Sequence, residues 1–310
     1  MRILVTGGAG FIGSHLVEAL LPHHTVEVLD NLSTGRRENL PSTVPLHRID
    51  LRDAQALRQH FAEHTYEVVY HLAAQVDVRT SVEKPTDDAQ VNILGTLHLL
   101  EAVRPSHAWV IFTSTGGAIY GEAPNLPIGE TYAPLPESPY GIAKLAGELY
   151  LRHFHQAHGV PYTVLRLANV YGPRQNPHGE AGVVAIFTHR LLSGQPAYIY
   201  GDGEQTRDFV YVGDVVRALV EVLKFPQRTQ GQVFNVGTGR QTSVNELWAH
   251  LARLIGTSQT PHHLPPKAGE LRHNALSYQR LHEATGWKPQ VSLEEGLAAT
   301  VAAFRQRLES

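Results

Sequence analysis

The chain has 310 residues, 42% of them apolar and 18% charged, with a net charge of −3 when histidine is neutral. This composition fits a globular protein with a sizeable core and excludes a disordered chain or a polybasic partner of nucleic acid or anionic membranes. No apolar run approaches the roughly 20 residues that span a bilayer. Cysteine is absent, which excludes disulfides, thiol catalysis and thiolate metal sites. The first residues do not read as a secretion signal, so a cytoplasmic location is expected.

Ile3, Leu4 and Val5 make a short apolar run of high β-propensity. Glycines follow at positions 7, 8, 10 and 13, and residues 14–21 place Leu16, Val17, Leu20 and Leu21 along one helical face. Strand, glycine turn and helix in that order suit a dinucleotide diphosphate. The turn lets phosphate approach the backbone, and the helix start offers unpaired N–H groups. Two registers fit, Gly8/Gly10/Gly13 and Gly7/Gly10/Gly13.

Residues 25–30 read as a second strand ending in Asp30, whose carboxylate can accept ribose hydroxyls and repel a 2′-phosphate. This favours NAD over NADP, although Arg36 and Arg37 follow closely. Residues 44–49 read as a third strand, 54–62 as a helix, 68–74 as a buried strand, 91–103 as a helix and 109–115 as another strand. Strands alternating with helices predict a doubly wound parallel sheet. Beyond residue 161 the pattern loosens. One more strand (162–167), a helix (214–223) and a strand near 233–237 are separated by polar, Gly- and Pro-rich loops. Helices at 247–255 and 293–308 end the chain.

The expected organisation is a nucleotide-binding domain over residues 1–168, also receiving segments near 210–240, and a smaller C-terminal α/β substrate domain over 169–310. Of 19 histidines, His60 and His64 stand four apart, and His153, His155 and His158 cluster on a predicted helix. No carboxylate stands at zinc-site spacing beside them, so surface histidines rather than a metal are expected.

Tyr140 and Lys144 share one face of a predicted helix. A tyrosine of pKa about 10 acts as a base near neutrality only if cationic neighbours favour its phenolate. The ammonium and a bound, positively charged nicotinamide are the two candidates. The same spacing also occurs on any solvated helix. Upstream, Thr113, Ser114 and Thr115 close a strand, and any of their hydroxyls could bind the substrate oxygen that Tyr140 deprotonates. Thr115 is preferred.

Together these motifs resemble the extended short-chain dehydrogenase/reductases. Asn169 and Tyr171-Gly-Pro173, Tyr200-Gly-Asp202, Arg207 through Asp214, and Asn235 through Gly239 resemble the nucleotide-sugar branch, most closely the 4-epimerases of UDP-hexoses. The resemblance runs over nearly the whole chain. It implies a Rossmann sheet and an NAD site formed by Gly7, Gly10, Phe11, Ile12, Gly13, Asp30, Asn31, Ser33, Thr34, Gly35, Asp50, Leu51, Leu72, Ala73, Ala74, Gln75, Asn92 and Thr113 with Tyr140 and Lys144. It implies Thr115, Tyr140 and Lys144 as catalytic residues. A UDP-sugar would meet Thr115, Tyr140, Asn169, Val183, Val184, Tyr198, Tyr200, Arg207 and Arg272, although Arg207 and Arg272 could instead pair with Asp208 and Glu270. It further implies a homodimer and a role in galactose metabolism.

Two departures from the family pattern bear on the reaction. Gly116-Gly117 follows Thr115 in a segment usually one residue shorter, and a small residue, Asn274 or Ala275, falls where a bulky tyrosine often closes the sugar pocket. Activity on UDP-N-acetylhexosamines is therefore expected as well. Dehydratases of this branch carry an acidic pair after the hydroxyl, and decarboxylases a glutamate before Tyr-Gly. Neither is present here. A UDP-glucuronate 4-epimerase and a non-catalytic NAD-binding sensor remain alternatives.

Overall fold

The computed structural model describes residues 1–178, 182–266 and 271–309. Seven parallel strands form the main sheet: β1 (Arg2–Thr6), β2 (Thr25–Leu29), β3 (Leu46–His47), β4 (Val68–His71), β5 (Trp109–Thr115), β6 (Tyr162–Leu167) and β7 (Gln232–Val236). Their order is β7-β6-β5-β4-β1-β2-β3. The reversal beside β1 is the topological switch point where open α/β sheets bind ligands. Successive residues of a strand face opposite sides. Ile3 and Val5 therefore enter one buried cluster with α1 (Phe11–Leu20), while Leu4 enters a second cluster with Leu57 and Leu99 on the other side. Both faces are covered, which is why β1 is apolar without alternation.

Helices α2 (Ala54–Glu63), α3 (Gly95–Val103) and α4 (Pro139–His158) follow. The Asp53 side chain caps α2 by accepting from the backbone of Gln55 and Ala56, and Ser138 caps α4 through Gly141. The chain returns to the sheet late. α5 (Val183–Leu192) packs in a third apolar cluster with Phe209, Trp248 and Val301, whereas α6 (Val212–Lys224) lies against α1 and leads into β7. α7 (Val244–Ile255) and α8 (Leu293–Glu309) pack on that third cluster. No helix among the described residues is long and apolar enough to cross a membrane.

Three predicted elements are shorter or broken, each for a local reason. The strand expected over 44–49 pairs only at Leu46–His47, because Val44 N–H turns back to Pro41 and Ile49 N–H to His47. The strand expected over 68–74 ends at His71, where Leu72 and Ala73 bond Thr6 and the chain leaves the sheet. The helix expected over 91–103 begins as a π turn at Gln90–Leu94 and becomes α-helical at Gly95.

A buried ion pair ties α4 to the sheet. The Arg166 guanidinium on β6 bonds both carboxylate oxygens of Glu148, at 3.0 and 2.6 Å, and the Tyr120 hydroxyl at 2.8 Å. Tyr120 in turn donates to Asn235 on β7. Both charged side chains are under 10% exposed. Removing one partner strands a buried charge. Glu148→Gln is expected to lower the unfolding free energy by about 3–5 kcal/mol, and the double variant Glu148→Gln/Arg166→Met by less; urea titration of the three proteins measures this.

Candidate active site

At the C-terminal edge of the sheet lies a cleft of about 800 Å³ that runs from the glycine turn to α5. Its floor is backbone. Gly7 has φ +70°, and a Cβ there would sit 2.7 Å from the Ala73 nitrogen, so no other residue fits without displacing the β4 exit. Gly10 N–H bonds the Gly7 carbonyl at 3.1 Å, and a Cβ on Gly13 would overlap that same oxygen. Gly8 points away, against Val28. The working register is therefore Gly7/Gly10/Gly13. Phe11, Ile12 and Gly13 open α1 along the cleft, so their N–H groups face it as orphan donors.

Asp30 closes this end. Its carboxylate accepts from Ala9 N–H at 3.0 Å and Leu32 N–H at 2.8 Å, which fixes it toward the cleft with lone pairs to spare. Asp50 is held well below the usual carboxylate range by Arg52, with Asn31 as a further donor. Ser33, Thr34, Gly35, Leu51, Leu72, Ala73, Ala74 and Gln75 also line the cleft.

The chemical end is built on β5 and α4. Lys144 Nζ donates to the Thr113 carbonyl at 3.0 Å, 4.8 Å above the Phe112 ring and 5.9 Å from that of Tyr140. Burial pulls the ammonium down to about 8 against the opposing pull of Asp88 and Glu148. Burial and the Asp88 carboxylate both push the Tyr140 phenol above its ordinary value. Lys144 alone therefore does not make Tyr140 a base.

The three candidate hydroxyls separate in the structure. Thr113 Oγ1 is committed to the His71 carbonyl at 3.3 Å. Ser114 Oγ and Asn169 Oδ1 line the cleft, buried and without partners among the described residues. Thr115 stands beside them. A Cβ on Gly117 would meet only Asn169 Oδ1 at 3.5 Å and Thr115 Oγ1 at 3.8 Å, so the wall next to these groups is open. Gly116 packs tightly on Leu276. The donor set matches a dinucleotide: helix-start amides for a diphosphate, a carboxylate for ribose hydroxyls, and an ammonium with unpartnered polar atoms at the reactive end.

Not every predicted residue reaches the cleft. Asn92 lies behind it, 4% exposed, where its side chain bonds the Gln75 N–H and carbonyl and Asp88. It positions Gln75 rather than touching a ligand. Val183 and Val184 line the cleft, whereas Tyr198, Tyr200, Arg207 and Arg272 stand outside its walls. Tyr198 faces solvent under Arg190, Tyr200 lies beside Arg79, and Arg207 donates to the Thr206 carbonyl. Arg272 grips Asp202 with two bonds of 2.8 Å. Glu270 lies outside the described residues. Asn274 and Ala275 are fully buried, with Asn274 backing the Gly116 carbonyl.

The sequence reading missed Arg174, Gln175 and Arg307. Arg174 (φ +67°) reaches back to Ser14 and Glu18 on α1, and Gln175 presents a buried, unpartnered oxygen. Both follow Tyr171-Gly-Pro173 and could have been flagged by that motif. Arg307 arrives from the far end of α8, close enough to Arg36 that the two charges repel; no local pattern announces it.

A sheet with its switch point at a glycine turn, and a Tyr–Lys pair facing it, defines a nicotinamide-dependent enzyme of carbonyl/hydroxyl chemistry. The chain belongs to the NAD-dependent epimerase/dehydratase family, whose model matches residues 3–237. It is 47% identical to the UDP-glucose 4-epimerase of Mycolicibacterium smegmatis over 99% of both chains. The crystal structure of the Thermotoga maritima UDP-glucose 4-epimerase with UDP-glucose superposes with a TM-score of 0.97 at 50% identity, covering 99% of this chain and 100% of that one. The Thermus thermophilus UDP-glucose 4-epimerase in complex with NAD gives 0.93 at 47% identity, covering 98% and 99%.

The buried ammonium yields a stability prediction with a definite sign. The folded value near 8 lies below the ordinary 10.5, so between these values the unfolded chain binds more protons and stability rises with pH. The difference is worth about 3 kcal/mol, less about 1 for the Thr113 hydrogen bond. Lys144→Met is expected to be about 2 kcal/mol more stable than the parent at pH 7, with the gap closing toward pH 10. Urea melts across that range measure it.

Proposed function

We propose that this chain interconverts UDP-galactose and UDP-glucose at C4 through a transient 4-keto sugar, with NAD as its resident cofactor. The observation that carries the reading is the pairing of Tyr140 and Lys144 with the bare Gly116-Gly117 turn. Tyr140 and Lys144 share one cleft with the dinucleotide groove, while the Gly116-Gly117 turn offers no carboxylate to expel water or assist decarboxylation.

NAD supplies the hydride acceptor and, while oxidised, a positive ring. Tyr140 takes the C4 hydroxyl proton when that positive charge joins the Lys144 ammonium, and returns it when the charge is gone. Thr115 holds the C4 oxygen by hydrogen bond, with Ser114 as the second candidate. Lys144 also reaches the ribose of the nicotinamide half. Asn169 contacts the sugar diphosphate, Arg207 and Arg272 neutralise its charge, Val183 and Val184 line the same stretch, and Tyr198 and Tyr200 border the uridine. Because binding is concentrated on the nucleotide, the keto sugar is free to turn over while tethered. The smooth wall at Gly117 supports turnover of the N-acetylhexosamine pair as well.

The same reading includes a homodimer formed through the exposed apolar residues Ile142, Leu149 and Tyr150 on α4, a cytoplasmic location and a role in galactose metabolism.

Incubating the purified protein with UDP-galactose is expected to give UDP-glucose without added cofactor, because hydride returns within one turnover and NAD need not leave. A keto-deoxy sugar would identify a dehydratase, turnover of UDP-glucuronate alone a uronate epimerase, and no conversion of any UDP-sugar a sensor. Tyr140→Phe should lower kcat about 10²–10⁴-fold while the protein still carries NAD. UDP-N-acetylglucosamine should also turn over, and no detectable product would remove the N-acetyl substrates. Size-exclusion chromatography should give a dimer mass that Leu149→Glu reduces to the monomer.

A further inference from the structure

The sheet edge remote from the Tyr–Lys pair carries a second constellation of chemistry-bearing side chains. His47 on β3 meets His60 on α2 and His64 at its C-cap, with ring centroids 4.4, 5.0 and 4.6 Å apart. One ligand nitrogen of each lies within 4.8 Å of the others. His60 is buried, and His47 and His64 are partly open, so the cluster has a closed base and a path to solvent. On β2 below them, Glu27 has a side chain only 8% exposed. Its Oε1 takes both hydrogen bonds from Arg2, at 3.0 and 2.7 Å. Its Oε2 faces the imidazoles, 2.8 Å from His47 Nε2 and 3.9 Å from His64 Nδ1, and accepts the Tyr66 hydroxyl at 2.9 Å.

We propose that His47, His60, His64 and the Oε2 of Glu27 bind one zinc ion, which staples the edge strand β3 to α2 and β2. Four ligands at about 2.0–2.1 Å in a tetrahedron stand about 3.4 Å from one another. The three imidazole nitrogens, within 4.8 Å of one another, draw in toward that value, and Glu27 Oε2, 2.8 and 3.9 Å from two of them, joins once the Tyr66 hydroxyl, 3.0 Å from His60 Nε2 and 2.9 Å from Oε2, is released. Three imidazoles and one carboxylate form a borderline donor set suited to zinc. Arg2 keeps Oε1 and gives up only its 3.1 Å contact to His64 Nδ1, which its partly exposed side chain can do. The carboxylate already on Arg2 matches the outer-shell pattern of metal sites.

The staple has something to hold. β3 is two residues long and pairs only with β2. The His47 carbonyl accepts the Asp30 N–H at 3.1 Å, so this weak edge carries the residue that closes the cofactor cleft. Only the helical pair His60/His64 is local in sequence.

The test uses the full chain, stripped with a chelator and dialysed against Zn²⁺. One zinc per chain at micromolar free metal, with a raised Tm, is expected. His47→Gln and His64→Gln should each weaken zinc binding at least tenfold. No uptake, or uptake equal in both variants and parent, overturns the site and places any bound metal on other histidines. Should a variant fail to fold, Co²⁺ in the parent decides: intense tetrahedral visible bands support the site, and weak octahedral absorption overturns it. Failure of the site leaves the epimerase reading standing, because that reading rests on Tyr140 and Lys144 and is tested by conversion of UDP-galactose.

Discussion

The site depends on keeping one ammonium out of water. Lys144 reaches from α4 to the end of β5, where its Nζ has a single backbone acceptor, an aromatic face beneath it and two carboxylates, Asp88 and Glu148, at longer range. Desolvating a lone charge costs several kcal/mol, so nothing but function explains its place. The surroundings limit that penalty without removing it. Glu148 is already bound to Arg166. Asp88, itself pushed upward by burial, leaves one oxygen unpartnered. An under-compensated cation of this kind exerts a field on Tyr140, whereas a fully paired one would be electrostatically quiet. On the proposed reading, this incomplete compensation belongs to the catalytic arrangement.

Backbone-built parts of the site were legible in the sequence. The glycine turn, Asp30, the β4 exit at Leu72–Gln75 and the Tyr–Lys helix are short segments whose chemistry follows from residue type and spacing. Even there, spacing left two glycine registers open. Only the collision of a Gly13 Cβ with the Gly7 carbonyl, and the outward face of Gly8, separate them. Spacing likewise left three neighbouring hydroxyls open, of which the structure removes one. Thr113 is used by His71, a contact between adjacent strands that no local pattern encodes.

What could not be read was tertiary. Arg307 enters the cleft from the last helix, His47 and Glu27 join a helical histidine pair from two strands, and Asn92 turns out to act through Gln75. The residue types drew attention, but which groups they face is set by β-strand order. Element boundaries failed for the same reason. Residues 44–49 read as a strand despite Pro45, yet only Leu46 and His47, which reach β2, find a ladder partner.

The two ends of the nucleotide-sugar path are built differently, and the difference suits a reaction that must hold one partner and turn the other. The cofactor end is close-packed backbone, where added atoms collide. The proposed uridine end is closed by side chains: Arg272 pairs with Asp202 at the surface, both about half exposed. Solvent screens an exposed pair of this kind, so a doubly charged diphosphate can draw the guanidinium away from Asp202. Arg272 is thereby kept folded and oriented between substrates without being locked. On the proposed reading, the rigid floor would keep the cofactor in place for the return of hydride, and the replaceable ion pair would let product leave once the sugar has turned.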